Sequence, residues 1–122
     1  ARLLDSPERD LRAVLVIDNC STDGTAEWLK SASQPRLHVH RTKFNSGGAG
    51  GFEIGMRMAV DQWNPDWMVI MDDDGRPAVD GIAAFHDRKE RGYDSYASAV
   101  YFPDGRICDM NRPSVNPFWP AA

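Results

Sequence analysis

Cysteine is scarce in this chain. Two stand in 122 residues, Cys20 and Cys108, and neither sits in a spacing that ligates a metal. The pattern speaks against a disulfide scaffold or thiolate metal site, and two free thiols in a reducing compartment are expected. Long apolar runs are missing too. None approaches the roughly 20 residues that span a bilayer, and no secretory leader opens the chain. Nor is there an excess of positive charge: 14 Lys and Arg stand against 18 Asp and Glu, for a net charge of −4. That balance argues against non-specific binding of nucleic acid or acidic membrane. No internal repeat is visible. The remaining composition, 42% hydrophobic and 26% charged, is that of a soluble globular protein. A single domain over residues 1–122 is expected, in the cytoplasm, with membrane association open for a longer form.

What is present is organised around apolar runs that end in polar clusters. Ala13–Ile17 reads as a buried strand ending in Asp18-Asn19-Cys20-Ser21-Thr22-Asp23-Gly24. Asp23 or a neighbour then caps a helix to about Ser31. Leu37–Thr42 reads as a second strand. The glycine-rich stretch Asn45–Gly51 breaks the pattern, and a helix follows to Trp63, with Phe52, Met56, Ala59, Val60 and Trp63 on one side. Asn64-Pro65 stops it. Trp67–Met71 is the longest apolar run, bounded by Pro65 and Gly75, and predicts a third strand buried on both faces. Val79–Arg91 reads as a helix. Tyr96–Phe102 and Ile107–Met110 flank Pro103-Asp104-Gly105-Arg106 and predict a hairpin. The last twelve residues, with three prolines, are expected to trail over the surface. The four tryptophans, Trp28, Trp63, Trp67 and Trp119, are expected mostly in the core, with Trp119 the one candidate for exposure.

This order predicts an α/β domain with a mostly parallel sheet, helices on both faces and a C-terminal hairpin. Its chemistry is expected where parallel strands end. Along that rim lie the loops Asp18–Gly24, Asn45–Gly51 and Asp72–Gly75. Strand alternation sends Asp72 and Asp74 to one side and Asp73 to the other. Paired like charges at a buried strand end are best explained by a cation between them, and hard oxygen ligands favour Mg²⁺ or Mn²⁺. The glycine run matches no phosphate motif alone. Glu53 falls where the dinucleotide pattern closes on glycine, and Met56-Arg57 follows Gly55 where a phosphate loop needs Lys and Ser or Thr. The glycines could simply let a helix pack closely on the sheet.

Three segments in order carry more weight: Val14-Leu-Val-Ile-Asp-Asn-Cys-Ser-Thr-Asp-Gly-Thr25, Asn45-Ser-Gly-Gly-Ala-Gly-Gly-Phe52, and Trp67 through Asp74. Together they resemble the inverting nucleotide-sugar glycosyltransferases of GT-A fold, over about Ala13–Pro77. The last two segments look most like the galactofuranosyltransferase branch, with bacterial rhamnosyltransferases as close relatives. The resemblance implies a UDP-sugar donor (or a dTDP-sugar), a glycan or lipid-linked acceptor, and galactofuranose as the sugar moved. It implies a nucleotide site at Asp18, Asn19, Asn45, Gly47, Gly48 and Asp73. Metal is implied at Asp72 and Asp74. The reaction would be direct displacement at the anomeric carbon, the metal neutralising the departing diphosphate while a carboxylate takes the acceptor proton.

The catalytic base is not identified. Twelve residues precede Ala13 and 48 follow Asp74, which leads to the expectation of a piece of a larger transferase whose base lies elsewhere. His86 falls in a helical pattern and reads as packed or solvated. A catalytically inert nucleotide-binding or interaction domain is the alternative. A haloacid-dehalogenase-type phosphatase is the weaker rival: Asp72-Asp73-Asp74-Gly75 fits its Asp-x-Asp-Gly, but Arg76 stands where a Thr is wanted.

Overall fold

The computed structural model describes residues 2–88 and 92–109. These group into two compact units, one within 1–88 and the other within 89–122. In the first, β1 (Val14–Asp18) and β2 (Leu37–Arg41) form a parallel pair, Val14 opposite Leu37 through Asp18 opposite Arg41. Their β-branched residues Val14, Val16, Ile17 and Val39 suit a pleated surface. Helix α1 (Thr25–Ser31) connects them, and α2 (Gly47–Trp63) follows β2.

The register sorts the faces. Partners in a parallel pair point the same way, so Val16, Asp18, Val39 and Arg41 share one face while Ile17, His38 and His40 share the other. Ala26 and Lys30 of α1 border a cleft with Asp18, Val39 and Arg41. Helix α2 lies on the opposite face, where Gly51 and Gly55 meet Ile17 and the Trp63 ring stands edge-on to His38 at 4.8 Å. Helices therefore cover both faces, as the sequence predicts.

Local chemistry explains most boundaries. Gly24, with φ 88°, occupies the N-cap of α1; Asp23 accepts from the backbone N–H of Thr25 at 3.1 Å and from its hydroxyl at 2.6 Å. The predicted cap thus acts one residue ahead of the formal start. Ala26 and Leu29 turn inward and are buried. At the other end of α2, Asn64 takes the left-handed conformation before Pro65 and closes on the Val60 carbonyl at 2.9 Å. A 3-10 turn, Arg2–Asp5, precedes β1, and the half-buried Arg36 guanidinium ties this segment to the sheet. It donates to the carbonyls of Leu11 (2.6 Å), Ser6 (2.8 Å) and Leu4.

The structure departs from the sequence reading at four places. Gly47–Gly51 is not a loop; it forms the first turn of α2, because only the left-handed φ of Gly47 (73°) precedes regular helix. The row facing the sheet is Gly51 and Gly55, whereas Met56 and Val60 are exposed. Trp67–Met71 forms no strand. Among the described residues no third strand pairs with the sheet, and Met68, Val69, Ile70 and Met71 are 36–55% exposed. The predicted helix over 79–91 is shorter: α3 spans Gly81–His86, and residues 89–91 lie outside those described. Trp28, expected in the core, is exposed; Trp63 and Trp67 are half-buried.

In the second unit the predicted hairpin is present in minimal form. Tyr101 and Ile107 make a single antiparallel bridge. Gly105 N–H bonds the Phe102 carbonyl at 2.9 Å across Pro103-Asp104, and Gly105 takes φ 85°. Arg106 bonds Asp104 at 2.8 Å and lies over the Phe102 ring. Met110, the last residue of the second predicted strand, and the proline-rich tail with Trp119 fall outside the described residues.

Candidate nucleotide site

The end of β1 gathers the most polar structure in the first unit. Asp18, the last residue of the strand, is 3% exposed. Its Oδ1 accepts from the Ser21 N–H at 2.8 Å, the chain having turned back through Cys20 at φ 63°. Its Oδ2 has no hydrogen-bond partner among the described residues. Arg41, its register partner on β2, brings Nη1 to 3.6 Å of that oxygen and donates through Nη2 to the Ser21 carbonyl at 2.7 Å. Hydrogen bonds from the Ser21 hydroxyl and N–H, outweighing desolvation, together with the Arg41 charge hold the Asp18 carboxyl below its usual range. The result is a fixed anion whose second oxygen is buried beside Arg41 without a hydrogen-bond donor among the described residues. It borders a cleft of about 180 Å³ with Ala26, Lys30, Val39 and Arg41.

Asn19 points the other way, toward α2. Its Oδ1 accepts from the Ser46 N–H at 3.1 Å; its Nδ2 donates to the Gly47 carbonyl at 2.9 Å and to Asn45 Oδ1 at 3.1 Å. Asn45 Oδ1 also accepts from the Gly47 N–H at 2.8 Å. Thr42, buried at the end of β2, bonds Asp18 and the Phe44 carbonyl and completes the junction. Of the residues singled out in the sequence, Asn19, Asn45 and Gly47 therefore meet at one place, while the Asp18 carboxylate lies on the α1 face of the same strand end. Gly48 is adjacent in the first turn of α2, with open space where a Cβ would stand. Asn19 Nδ2 is spent on the Gly47 carbonyl and Asn45, and the Gly47 N–H on Asn45.

Asp72, Asp73 and Asp74 are exposed, in a turn that Gly75 N–H closes on the Asp72 carbonyl at 3.3 Å. Among the described residues no three His, Cys, Asp or Glu side chains converge as a metal cluster. His86 is packed rather than catalytic in form: half-buried against Phe85, with Nε2 2.7 Å from the Asp10 carbonyl. Ser21, Lys30 and Arg41 were not legible as site residues. Arg41 could have been found by counting the parallel register from Asp18, and Ser21 by its place three residues after an aspartate in a turn cluster.

No helix among the described residues is long and apolar enough to cross a membrane. Comparison with known proteins gives three informative relatives. A galactofuranosyltransferase of Mycolicibacterium smegmatis is 36% identical over 73 residues, covering 60% of this chain and 24% of that protein. An undecaprenyl-phosphate mannosyltransferase of Micrococcus luteus is 41% identical over 78 residues, covering 61% and 30%. A polyprenol monophosphomannose synthase of M. smegmatis is 34% identical over 101 residues, covering 77% and 36%. The chain thus spans about a quarter to a third of the length of these curated relatives. No solved structure matches it. Residues 1–119 match glycosyl transferase family 2, which displaces the phosphatase alternative: the chain belongs to that glycosyltransferase family.

Proposed function

We propose that this chain is the nucleotide-binding part of a glycosyltransferase that moves a sugar, galactofuranose on the resemblance of its motifs, from a UDP-sugar to a glycan or lipid-linked acceptor. The observation that carries the reading is the buried Asp18 carboxylate, held ionised by Ser21 and Arg41 with Oδ2 lacking a donor. With the exposed Arg41 side chain moved aside, a uracil ring would supply the missing group, an N–H that donates to that oxygen. A cytosine ring presents a lone pair at the same position and would be repelled. Isoprenoid-phosphate acceptors are suggested by the names of the two mannosyl-transferring relatives.

Asp72 and Asp74 suit an open divalent site. Two exposed carboxylates within one turn offer hard oxygen ligands, and phosphate oxygens and water would complete the shell of Mg²⁺ or Mn²⁺. Bound there, the ion would neutralise charge on the diphosphate as the anomeric C–O bond breaks. The acceptor oxygen would attack the anomeric carbon from the opposite side, with inversion, and lose its proton to a carboxylate base. Asp73 is left to the sugar or a structural partner.

The test is calorimetric titration of the protein with UDP, GDP and CDP, with and without Mn²⁺. UDP should bind more tightly with the metal, and CDP should not compete. Asp18→Asn should weaken UDP about tenfold or more, one charge-assisted hydrogen bond. Asp74→Asn should remove the metal dependence. Failure of UDP to bind under any condition would leave an inert interaction domain as the better description.

A further inference from the structure

The Asn19 carboxamide is fully committed inside the protein. An amide side chain offers two N–H donors and one acceptor oxygen, and here both donors and the oxygen have partners. The orientation is set by backbone groups whose roles are unambiguous. The Ser46 N–H needs an oxygen and the Gly47 carbonyl needs a donor, so Asn19 can face them in one way only. That in turn fixes Asn45. Its Oδ1 receives Nδ2 of Asn19 and the Gly47 N–H, which turns its own NH₂ away from the junction. Asn45 is exposed, and among the described residues nothing accepts from its Nδ2.

We propose that Asn19 is a positioning residue rather than a nucleotide contact: it locks Asn45 with its NH₂ outward, so that Asn45 meets the nucleotide as a donor to an oxygen of the ligand. This rests on the nucleotide-binding reading and narrows it, since sequence resemblance alone assigns both asparagines to the ligand. The same lock joins the ends of β1 and β2 to the start of α2.

The experiment combines UDP titration in the presence of Mn²⁺ with NMR of the side-chain amides. Asn19→Asp keeps an acceptor for Ser46 N–H but sets a second oxygen against the Gly47 carbonyl and Asn45 Oδ1, so Asn45, the one of the two free to turn, should bring its NH₂ inward. UDP affinity should fall roughly tenfold, about one hydrogen bond, and Asn45→Ala should cost the same. The double variant Asn19→Asp/Asn45→Ala should bind no more weakly than Asn45→Ala alone. A purely structural role for Asn19 would instead give additive losses. In the unaltered protein the Asn19 NH₂ should exchange slowly, while the Asn45 NH₂ should exchange fast and shift on adding UDP. Additive losses, or a protected Asn45 NH₂ that UDP leaves unmoved, would overturn the proposal while leaving Asp18-dependent UDP binding intact. UDP binding insensitive to Asp18→Asn would instead strike the underlying reading.

Discussion

At the scale of single residues, the decisive feature is an aspartate that stays charged while buried. Because Ser21 and Arg41 favour the ionised form, the folded carboxyl titrates below its usual value of 3.8. The folded state then binds its proton less readily than the unfolded chain, so its stabilisation is complete above the unfolded value. That stabilisation fades as pH falls through the folded one. Asp18→Asn should therefore lower the melting temperature at neutral pH and flatten its decline on acidification from about pH 6 to about pH 2.5, the two proteins converging in acid. Asp23 and Asp104, held low by Thr25 and Arg106, keep a common background decline in both. Parallel acid limbs in scanning fluorimetry would remove Asp18 from the acid-labile groups. Asp18 was legible because a strand-ending aspartate before a turn cluster is a local signal. Its orienting partner Arg41 depends on the register between two strands, which no local pattern carries.

At the scale of elements, the glycine run of α2 divides into glycines the fold requires and glycines it does not. Gly47 takes a left-handed φ of 73°, which any side chain strains. A Cβ on Gly50 would stand 2.5 Å from Ser46 Cβ, so backbone would have to move. By contrast, Gly48 faces open space, and a Cβ on Gly51 meets its nearest atom at an ordinary 3.7 Å. Alanine removes conformational freedom from the unfolded chain and favours helix. Gly48→Ala and Gly51→Ala should each stabilise by about 0.5–1 kcal/mol, and Gly47→Ala should destabilise by about 1–2 kcal/mol. Gly50→Ala should also destabilise. Urea unfolding of the four variants reads this directly, and a uniform response would mean that helix propensity alone governs the segment. The sequence could show that glycines cluster here, and even that close packing was one use for them. It could not show that the helix begins within the cluster, since glycine signals a break and a helix start alike.

At the scale of the whole molecule, the two strands that pair were both legible, and so was the alternation that puts helices on both faces. The predicted third strand was not realised, for a physical reason. An apolar run reports a tendency to be buried, whereas a strand also needs a hydrogen-bonding neighbour. Among the described residues, Met68–Met71 has no ladder partner, and Val69 and Ile70 stay 55% and 51% exposed. The inward-facing hydrophobics are few: Ala26 and Leu29 are the buried hydrophobic side chains among the described residues, and no large side chain is completely enclosed. An exposed, uncharged apolar segment is a surface for association between chains. The pair Val69→Lys/Ile70→Lys should therefore reduce concentration-dependent self-association of the protein in sedimentation velocity. Because these side chains contribute little to the core, the melting temperature should change by no more than a surface substitution does, within about 0.5 kcal/mol of stability. Unfolding of the double variant would instead mean that this segment is covered by protein in solution, and that burial, as the apolar run first suggested, is its native state.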